Sequence, residues 1–130
     1  MPATSPLILI VDDDKFLIDM YTVKFKEAGY VVNSAFGAEE ALHKLEGGCS
    51  PDGLLLDVVM PGMNGIELLK KIRENKLAPN ASVIILSNQS QPADIEAARK
   101  LGIDGYIVKA STIPSEVLEK VEEIMKSKKK

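Results

Sequence analysis

The chain has 130 residues and a formal net charge of −3, from 16 basic and 19 acidic residues, which argues against general nucleic-acid binding. Its length suits one domain without staples, and the single cysteine, Cys49, has no partner for an internal disulfide. No apolar run approaches the roughly 20 residues that span a membrane, and the start lacks the pattern of a signal peptide, so we expect a cytoplasmic protein with no membrane partner.

Short apolar runs alternate with segments of helical period five times along the chain. The first helix is predicted from apolar residues three or four apart between Leu17 and Ala28, and Gly29 ends it. A second strand is predicted over residues 30–35, and a second helix over residues 38–45. This alternation is typical of a parallel sheet that is covered by helices on both faces.

The second half of the chain continues the same pattern. Asn64, with Glu67 three residues later, predicts a capping box at the start of a third helix. Pro92 suits the first turn of a fourth helix that Gly102 ends, and the apolar content of this helix is thin. The last helix is predicted to bury one apolar stripe, made of Ile113, Val117, Val121 and Ile124.

These elements predict an α/β fold of the flavodoxin-like kind. We expect a doubly wound sheet of five parallel strands in the order 2-1-3-4-5, with five helices. No internal repeat or linker divides the chain. We therefore expect a single domain over residues 1–130, with a core from about residue 7 to about residue 126 and a basic C-terminal tail.

Four apolar runs each stop on a polar residue suited to phosphate chemistry. The residues at these four ends are Asp12 with Asp13, Asp57, Ser87 and Lys109. Parallel strands bring their carboxyl ends to one edge of the sheet, where open α/β sheets bind ligands. Carboxylates bind a hard cation such as Mg²⁺, while a hydroxyl and an ammonium bind phosphoryl oxygens.

Asp57 is the best candidate for a nucleophile, because it follows a fully apolar strand and precedes a rigid turn over residues 60–62. A carboxylate that attacks phosphorus forms an acyl phosphate. Asp12 and Asp13 can hold Mg²⁺ together with Asp57, and Lys109 and Ser87 can meet the charge of the transferred group. The sequence therefore predicts phosphoryl transfer onto Asp57.

At these residues the chain resembles the receiver domain of two-component response regulators, and closely resembles the free-standing chemotaxis type. The resemblance covers about residues 7–126. It includes the acidic pair, the acceptor inside the segment LLLDVVMPGMNG (54–65), Ser87, an aromatic switch residue at Tyr106, and Lys109. Each motif alone is weak, but five in order at matching strand ends are specific.

The resemblance implies that a histidine kinase or phosphotransfer protein donates a phosphoryl group to Asp57. It implies Mg²⁺ as the cofactor, on Asp12, Asp13, Asp57 and the backbone carbonyl of Val59. It also implies that Ser87 moves toward the new phosphate and that Tyr106 turns inward behind it. The protein would then be a signalling phosphoacceptor that catalyses its own phosphorylation and dephosphorylation, not an enzyme with a separate substrate.

The route by which the signal leaves the domain is predicted from the thin fourth helix. We expect no attached effector, so that output would be a change of surface, and we expect this helix to lie beside Tyr106. We expect a downstream protein to bind the face formed by the fourth helix, the fifth strand and the fifth helix. That face includes residues 95–101, Tyr106 and residues 114–122.

Two positions depart from the receiver pattern. Ala110 stands where a proline usually follows the lysine, and Asn88 stands where a small residue usually follows the serine. Because a cis bond before a non-proline residue costs about 2.5 to 4 kcal/mol, we expect the Lys109–Ala110 peptide to be trans. Neither departure removes a group that takes part in the chemistry.

Three other classes of protein share part of this pattern. A phosphohydrolase of the haloacid-dehalogenase type shares the spacing of Asp12 and Asp14, but its following motif is absent. A flavodoxin would bind its phosphate where the acidic residues 12–14 repel it. A receiver-like interaction module that is not phosphorylated is the remaining alternative. The response to acetyl phosphate with Mg²⁺ distinguishes it from the phosphorylated receiver.

Overall fold

In a computed structural model, residues 5–87, 92–109 and 112–128 are described. Within these ranges strands and helices alternate throughout. The strands are β1 (Leu7–Val11), β2 (Val31–Ala35), β3 (Gly53–Leu56), β4 (Ser82–Ser87) and β5 (Gly105–Val108). The helices are α1 (Lys15–Glu27), α2 (Ala38–Glu46), α3 (Gly65–Glu74), α4 (Pro92–Lys100) and α5 (Pro114–Lys128).

The strands form one parallel sheet in the order β2-β1-β3-β4-β5. This confirms the predicted order, with β1 and β3 side by side near the centre. Leu9 of β1, for example, pairs with Asn33 of β2 on one side and with Leu54 of β3 on the other. All the carboxyl ends therefore lie along one edge, and the strand order reverses beside β1, which leaves a crevice there.

Helices cover both faces of the sheet. Alternate residues of a strand point to opposite faces. On β1, Leu9 and Val11 belong to the core beneath α2, α3 and α4, whereas Ile8 and Ile10 belong to the core beneath α1 and α5. All four side chains are at most 2% exposed. The predicted doubly wound architecture is therefore confirmed.

Side-chain caps fix the starts of the two helices that follow the central strands. The carboxylate of Asp14 accepts hydrogen bonds from the N–H groups of Phe16 and Leu17, at 3.0 and 3.3 Å. Asn64 and Glu67 exchange bonds between side chain and backbone, at 2.9 and 3.0 Å, which confirms the predicted capping box of α3. These caps satisfy backbone N–H groups of the first turn and so fix the residue at which each helix begins.

Among the described residues, side-chain hydrogen bonds hold the fourth helix just past its C-terminal end. Among the described residues of α4, only Ala98 is buried, in agreement with its thin apolar content. Arg73 of α3 donates from Nε to the carbonyl of Leu101 at 3.1 Å, and from its guanidinium also to the carbonyl of Gly102. Gly102 has a left-handed φ of +83°, which confirms the predicted stop.

The apolar stripe of α5 differs from the prediction at its first residue. The helix begins at Pro114, so Ile113 lies before it, with 60% of its surface exposed. A proline disfavours the helical conformation in the residue that precedes it, which removes Ile113 from the helical face. Val117 and Val121 are buried as predicted, and Met125 is buried on the same face.

Some positions named from the sequence lie outside the described residues. These are Asn88, Ala110 and the last two lysines of the tail. The trans geometry of the Lys109–Ala110 peptide therefore stays a prediction. Within the described ranges, no helix combines the length and the apolar character that crossing a bilayer requires.

Candidate functional site

The sheet brings the polar residues predicted from the strand ends to one edge. These residues are Asp12 and Asp13 directly after β1, Asp57 directly after β3, Ser87 at the end of β4, and Lys109 directly after β5. Backbone hydrogen bonds continue past the strand ends: the N–H of Asp57 donates to the carbonyl of Val11 at 2.9 Å, and that of Asp12 to the carbonyl of Ala35 at 3.1 Å. The acidic residues are therefore held by the ladder of the sheet.

Three carboxylates meet at the crevice between β1 and β3. Asp12, Asp13 and Asp57 each offer an oxygen within 4.8 Å of the other two. Asp12 and Asp57 are buried, whereas Asp13 is exposed. A hard divalent cation takes carboxylate and carbonyl oxygens and retains several waters, so this donor set fits Mg²⁺.

A buried lysine faces the carboxylates. The Nζ atom of Lys109 forms an ion pair with Asp12 and lies 3.7 Å from Oδ1 of Asp57. The side chains of Lys109, Asp12 and Asp57 are 7%, 5% and 9% exposed, so this charge cluster is largely shielded from water. One ammonium group cannot neutralise three carboxylates. The site therefore keeps an excess of negative charge that a metal ion would offset.

The site opens to solvent as a cleft of about 280 Å³. Its walls are formed by Asp12, Asp13, Asp14, Leu17, Asp57, Val59, Ser87 and Lys109. Every metal-binding and phosphate-binding residue predicted from the sequence contributes to this lining. A larger depression of about 480 Å³, beside Asp104 and Glu123, is lined by none of them.

Ser87, in the wall of the cleft, and Tyr106 lie on the neighbouring strands β4 and β5. Ser87 is 1% exposed and pairs with Val108 in the register of β4 and β5. Tyr106 is half-buried and packs against the core beneath α2, α3 and α4. Burial raises the pKa of its hydroxyl above 10, and the charges of Asp94 and Asp57 raise it further. The ring is therefore close enough to the cleft and to α4 to be influenced by charge in both.

Comparison with known proteins identifies this arrangement. A model of the response regulator receiver domain matches residues 8–122, which include all of the strand ends described above. The chain belongs to the response regulator receiver domain family. It is therefore the receiver domain of a two-component signalling protein, as the sequence resemblance predicted.

Related receiver proteins differ in how much of their length the chain spans. The chemotaxis protein CheY of Thermotoga maritima is 38% identical over 92% of this chain and 97% of that protein. The transcriptional regulatory protein PhoP of Bacillus subtilis is 34% identical over 92% of the chain, but only 48% of PhoP is covered. The chain thus matches almost all of one relative and about half of the other.

A solved structure supports the same assignment. A CheY-like receiver domain protein from Methanospirillum hungatei superposes with a TM-score of 0.89 at 30% identity. The match covers 97% of this chain and 98% of that one. The receiver fold is therefore shared over essentially the whole chain.

Burial and the neighbouring charges shift the pKa of Asp57. Burial raises the pKa of its carboxyl from 3.8 to about 6; the ammonium of Lys109 opposes this shift, and the charges of Asp12 and Asp13 reinforce it. A hydrogen bond from the backbone N–H of Val58 also lowers the pKa. The ionised form of Asp57 is consequently disfavoured in the metal-free protein, as like charges and burial dictate.

Without divalent metal, Asp57→Asn should be more stable than the wild type at neutral and alkaline pH. Because folding raises the pKa of Asp57 to about 6, its favourable contribution is complete below 3.8 and is lost as pH rises through 6. The gain in unfolding free energy should therefore grow with pH to about 1 to 2 kcal/mol, since solvent in the cleft screens part of the repulsion. Urea unfolding with a chelator, at several pH values, measures it.

The matched control for that stability measurement is Asp19→Asn, which removes a carboxylate at an exposed position of α1. Its stability relative to the wild type should not rise over the same pH range. An Asp57→Asn protein that is less stable than the wild type near pH 8, with chelator present, would contradict the proposed repulsion.

Proposed function

We propose that this receiver accepts a phosphoryl group on Asp57 from the phosphohistidine of a histidine kinase or phosphotransfer protein. The observation that carries the proposal is the cluster of three carboxylates at the carboxyl edge of the sheet, two of which pair with the buried side chain of Lys109. Mg²⁺ would be held by Asp12, Asp13, Asp57 and the backbone carbonyl of Val59. The alternative of an unphosphorylated interaction module leaves this cluster without a purpose.

The chemistry follows from the positions of the groups. One carboxylate oxygen of Asp57 attacks phosphorus, the bond from phosphorus to the imidazole nitrogen breaks, and its electron pair returns to the histidine ring. The product on this chain is an acyl phosphate. Lys109 and Ser87 supply an ammonium and a hydroxyl to the phosphoryl oxygens, and bound Mg²⁺ would supply charge neutralisation. Attack by water later returns the carboxylate and releases inorganic phosphate.

Exposed apolar side chains near the cleft favour a protein as the phosphoryl donor. Phe16, Val59 and Ile113 are 68%, 56% and 60% exposed, and each lies in or beside a connection that leaves the carboxyl edge of the sheet. Beside Phe16, the outer face of α1 forms a shallow groove with Met20 and Val23. Contiguous exposed apolar side chains, such as those that line this groove, are typical of surfaces that other proteins cover.

Millimolar Mg²⁺ should raise the melting temperature of the wild-type protein. The cation would relieve the repulsion among Asp12, Asp13 and Asp57, and it would bind only the folded state. Thermal unfolding with Mg²⁺, and with chelator at matched ionic strength, measures the shift. Asp13→Asn should reduce it. Identical melting curves in the two conditions would count against the metal site.

The proposed function is tested by incubating the wild-type protein with acetyl phosphate and Mg²⁺. We expect mass spectrometry to find one added phosphoryl group, and we expect chelator to prevent its addition. An acyl phosphate is also labile to hydroxylamine, which distinguishes it from a phosphoserine. Full retention of the unmodified mass under these conditions would favour the interaction-module alternative.

We further propose that the output surface is the face formed by α4, β5 and α5. Its residues are those from Ile95 to Leu101, Tyr106, and those from Pro114 to Glu122. The support is that α4 buries only Ala98 among its described residues, so a small free-energy change at Ser87 is enough to shift it.

We also propose that the domain, with a core over about residues 7–126, acts in the cytoplasm.

Phosphorylation should alter amide hydrogen exchange mainly on the α4, β5 and α5 face. The phosphate would attract the hydroxyl of Ser87 at the end of β4, and Tyr106 lies on the adjacent strand β5. The structural change would therefore pass through these two neighbouring strands. Mass spectrometry of exchanged peptides, before and after acetyl phosphate treatment, locates it. Changes confined to α1 and α2 would show that another face carries the output.

A further inference from the structure

The first residue of α3, Gly65, is a glycine although its backbone conformation does not demand one. Its φ lies outside the left-handed region, unlike those of Gly62 and Gly102. Alanine is also the better helix former. The glycine at this position therefore meets a requirement other than conformational freedom.

The reason lies in the space next to the acceptor. A Cβ atom at Gly65 would lie 2.0 Å from the carbonyl oxygen of Asp57, 2.9 Å from its carbonyl carbon and 3.1 Å from the Cα of Val58. These are backbone atoms, and they cannot rotate away. By contrast, a Cβ at Gly105 would meet the flexible tip of Ile124, and one at Gly37 would meet nothing within 4 Å.

The two peptide groups that flank the Asp57–Val58 peptide are both hydrogen-bonded to neighbouring elements. Toward the sheet, the N–H of Asp57 donates to the carbonyl of Val11 at 2.9 Å. Toward α3, the N–H of Gly65 donates to the carbonyl of Val58 at 2.9 Å. The acceptor is thus held between strand β1 and the first turn of α3.

We propose that Gly65 is a positioning residue for Asp57. Its missing side chain lets the start of α3 rest directly on the acceptor's peptide group, and this contact sets the position of the carboxylate against Asp12 and Asp13. The carbonyl of Val59, two residues after the acceptor, depends on the same contact. The part of this inference that concerns phosphorylation rests on the proposed function. The part that concerns metal binding rests on the carboxylate cluster alone.

The test is Gly65→Ala, compared with two control variants. Asn64→Ala weakens the start of the same helix but adds no atom above Asp57, and Gly37→Ala adds a methyl group in open space. Magnesium affinity is measured by calorimetry, and phosphorylation by the rate with acetyl phosphate. For Gly65→Ala we expect about a tenfold loss or more of both, since small displacements of ligands and reacting groups have effects of this order.

The controls separate positioning from stability. Suppose that Gly65 merely stabilised α3. Asn64→Ala, compared at an equal drop in melting temperature, would then lose as much magnesium affinity and as much of the phosphorylation rate as Gly65→Ala does. Equal losses in these two variants, or wild-type values for Gly65→Ala, would overturn the proposal. Gly37→Ala should behave as the wild type does in both measurements.

Two further results remain decisive. If Gly65→Ala does not fold, amide exchange of the wild-type protein decides: Mg²⁺ should slow exchange at Gly65 and leave Gly37 unchanged, and no slowing at Gly65 would overturn the proposal. If the wild type binds Mg²⁺ but takes no phosphoryl group, the proposed function fails. In that case the magnesium affinities of the variants still test the role of Gly65.

Discussion

The Asp57→Asn variant is expected to take up no phosphoryl group from acetyl phosphate, while the wild-type protein gains one. Among the described carboxylates, that of Asp57 follows a central strand and lies beside both the acidic pair and the buried Lys109. An amide is a poor nucleophile toward phosphorus, so the acyl phosphate cannot form. Mass spectrometry of the intact protein, with Mg²⁺ present, measures the difference.

The control for this phosphorylation experiment is Asp19→Asn, the same substitution on the exposed surface of α1, which should be phosphorylated as the wild type is. Peptide mapping of the phosphorylated wild type should place the group on the peptide that contains Asp57. A phosphoryl group that persists in Asp57→Asn would show that another residue is the acceptor.

The Lys109→Met variant is expected to lose about 3 kcal/mol of unfolding free energy in the absence of metal, and to be phosphorylated far more slowly. The substitution leaves the buried carboxylate of Asp12 without its cation, which is the costly way to break a buried ion pair. It also removes the group that lowers the pKa of Asp57. The loss of stability should therefore grow as pH rises, because the raised pKa makes ionisation more unfavourable.

Urea unfolding at several pH values measures the effect of Lys109→Met. Lys100→Met, at an exposed position at the end of α4, is the matched control and should change the unfolding free energy little. A Lys109→Met protein that is as stable as this control at neutral pH would show that the ion pair with Asp12 contributes little to the unfolding free energy.

The fold and the site could be predicted because the apolar runs of the strands and the helical spacing of the segments between them agreed with the positions of the polar residues. Apolar runs such as Leu54–Leu56 stop directly at a chemical group, and parallel strands must bring such groups to one edge. The acidic cluster, with its raised pKa at Asp57, follows from that topology. The capping box at Asn64 is local chemistry within four residues, so it too was visible in the sequence.

The features that escaped prediction depend on contacts between distant atoms. The apolar periodicity extends back to Ile113, but the constraint that Pro114 places on the residue before it outweighs that pattern. The role of Gly65 could not be predicted, because nothing in the sequence shows that the carbonyl of Asp57 lies where its side chain would be. Such close approaches can be identified only once the backbone path is known.

The attachment of α4 by Arg73 bears on how the proposed output surface can change during evolution. The guanidinium bonds to the backbone carbonyls of Leu101 and Gly102, and every residue has a backbone carbonyl. Among the described side chains of α4, only Ala98 is needed for the core. Most of the outward residues of this helix can therefore be exchanged during evolution without loosening the domain, so the proposed output surface can diverge while the carboxylate cluster stays the same.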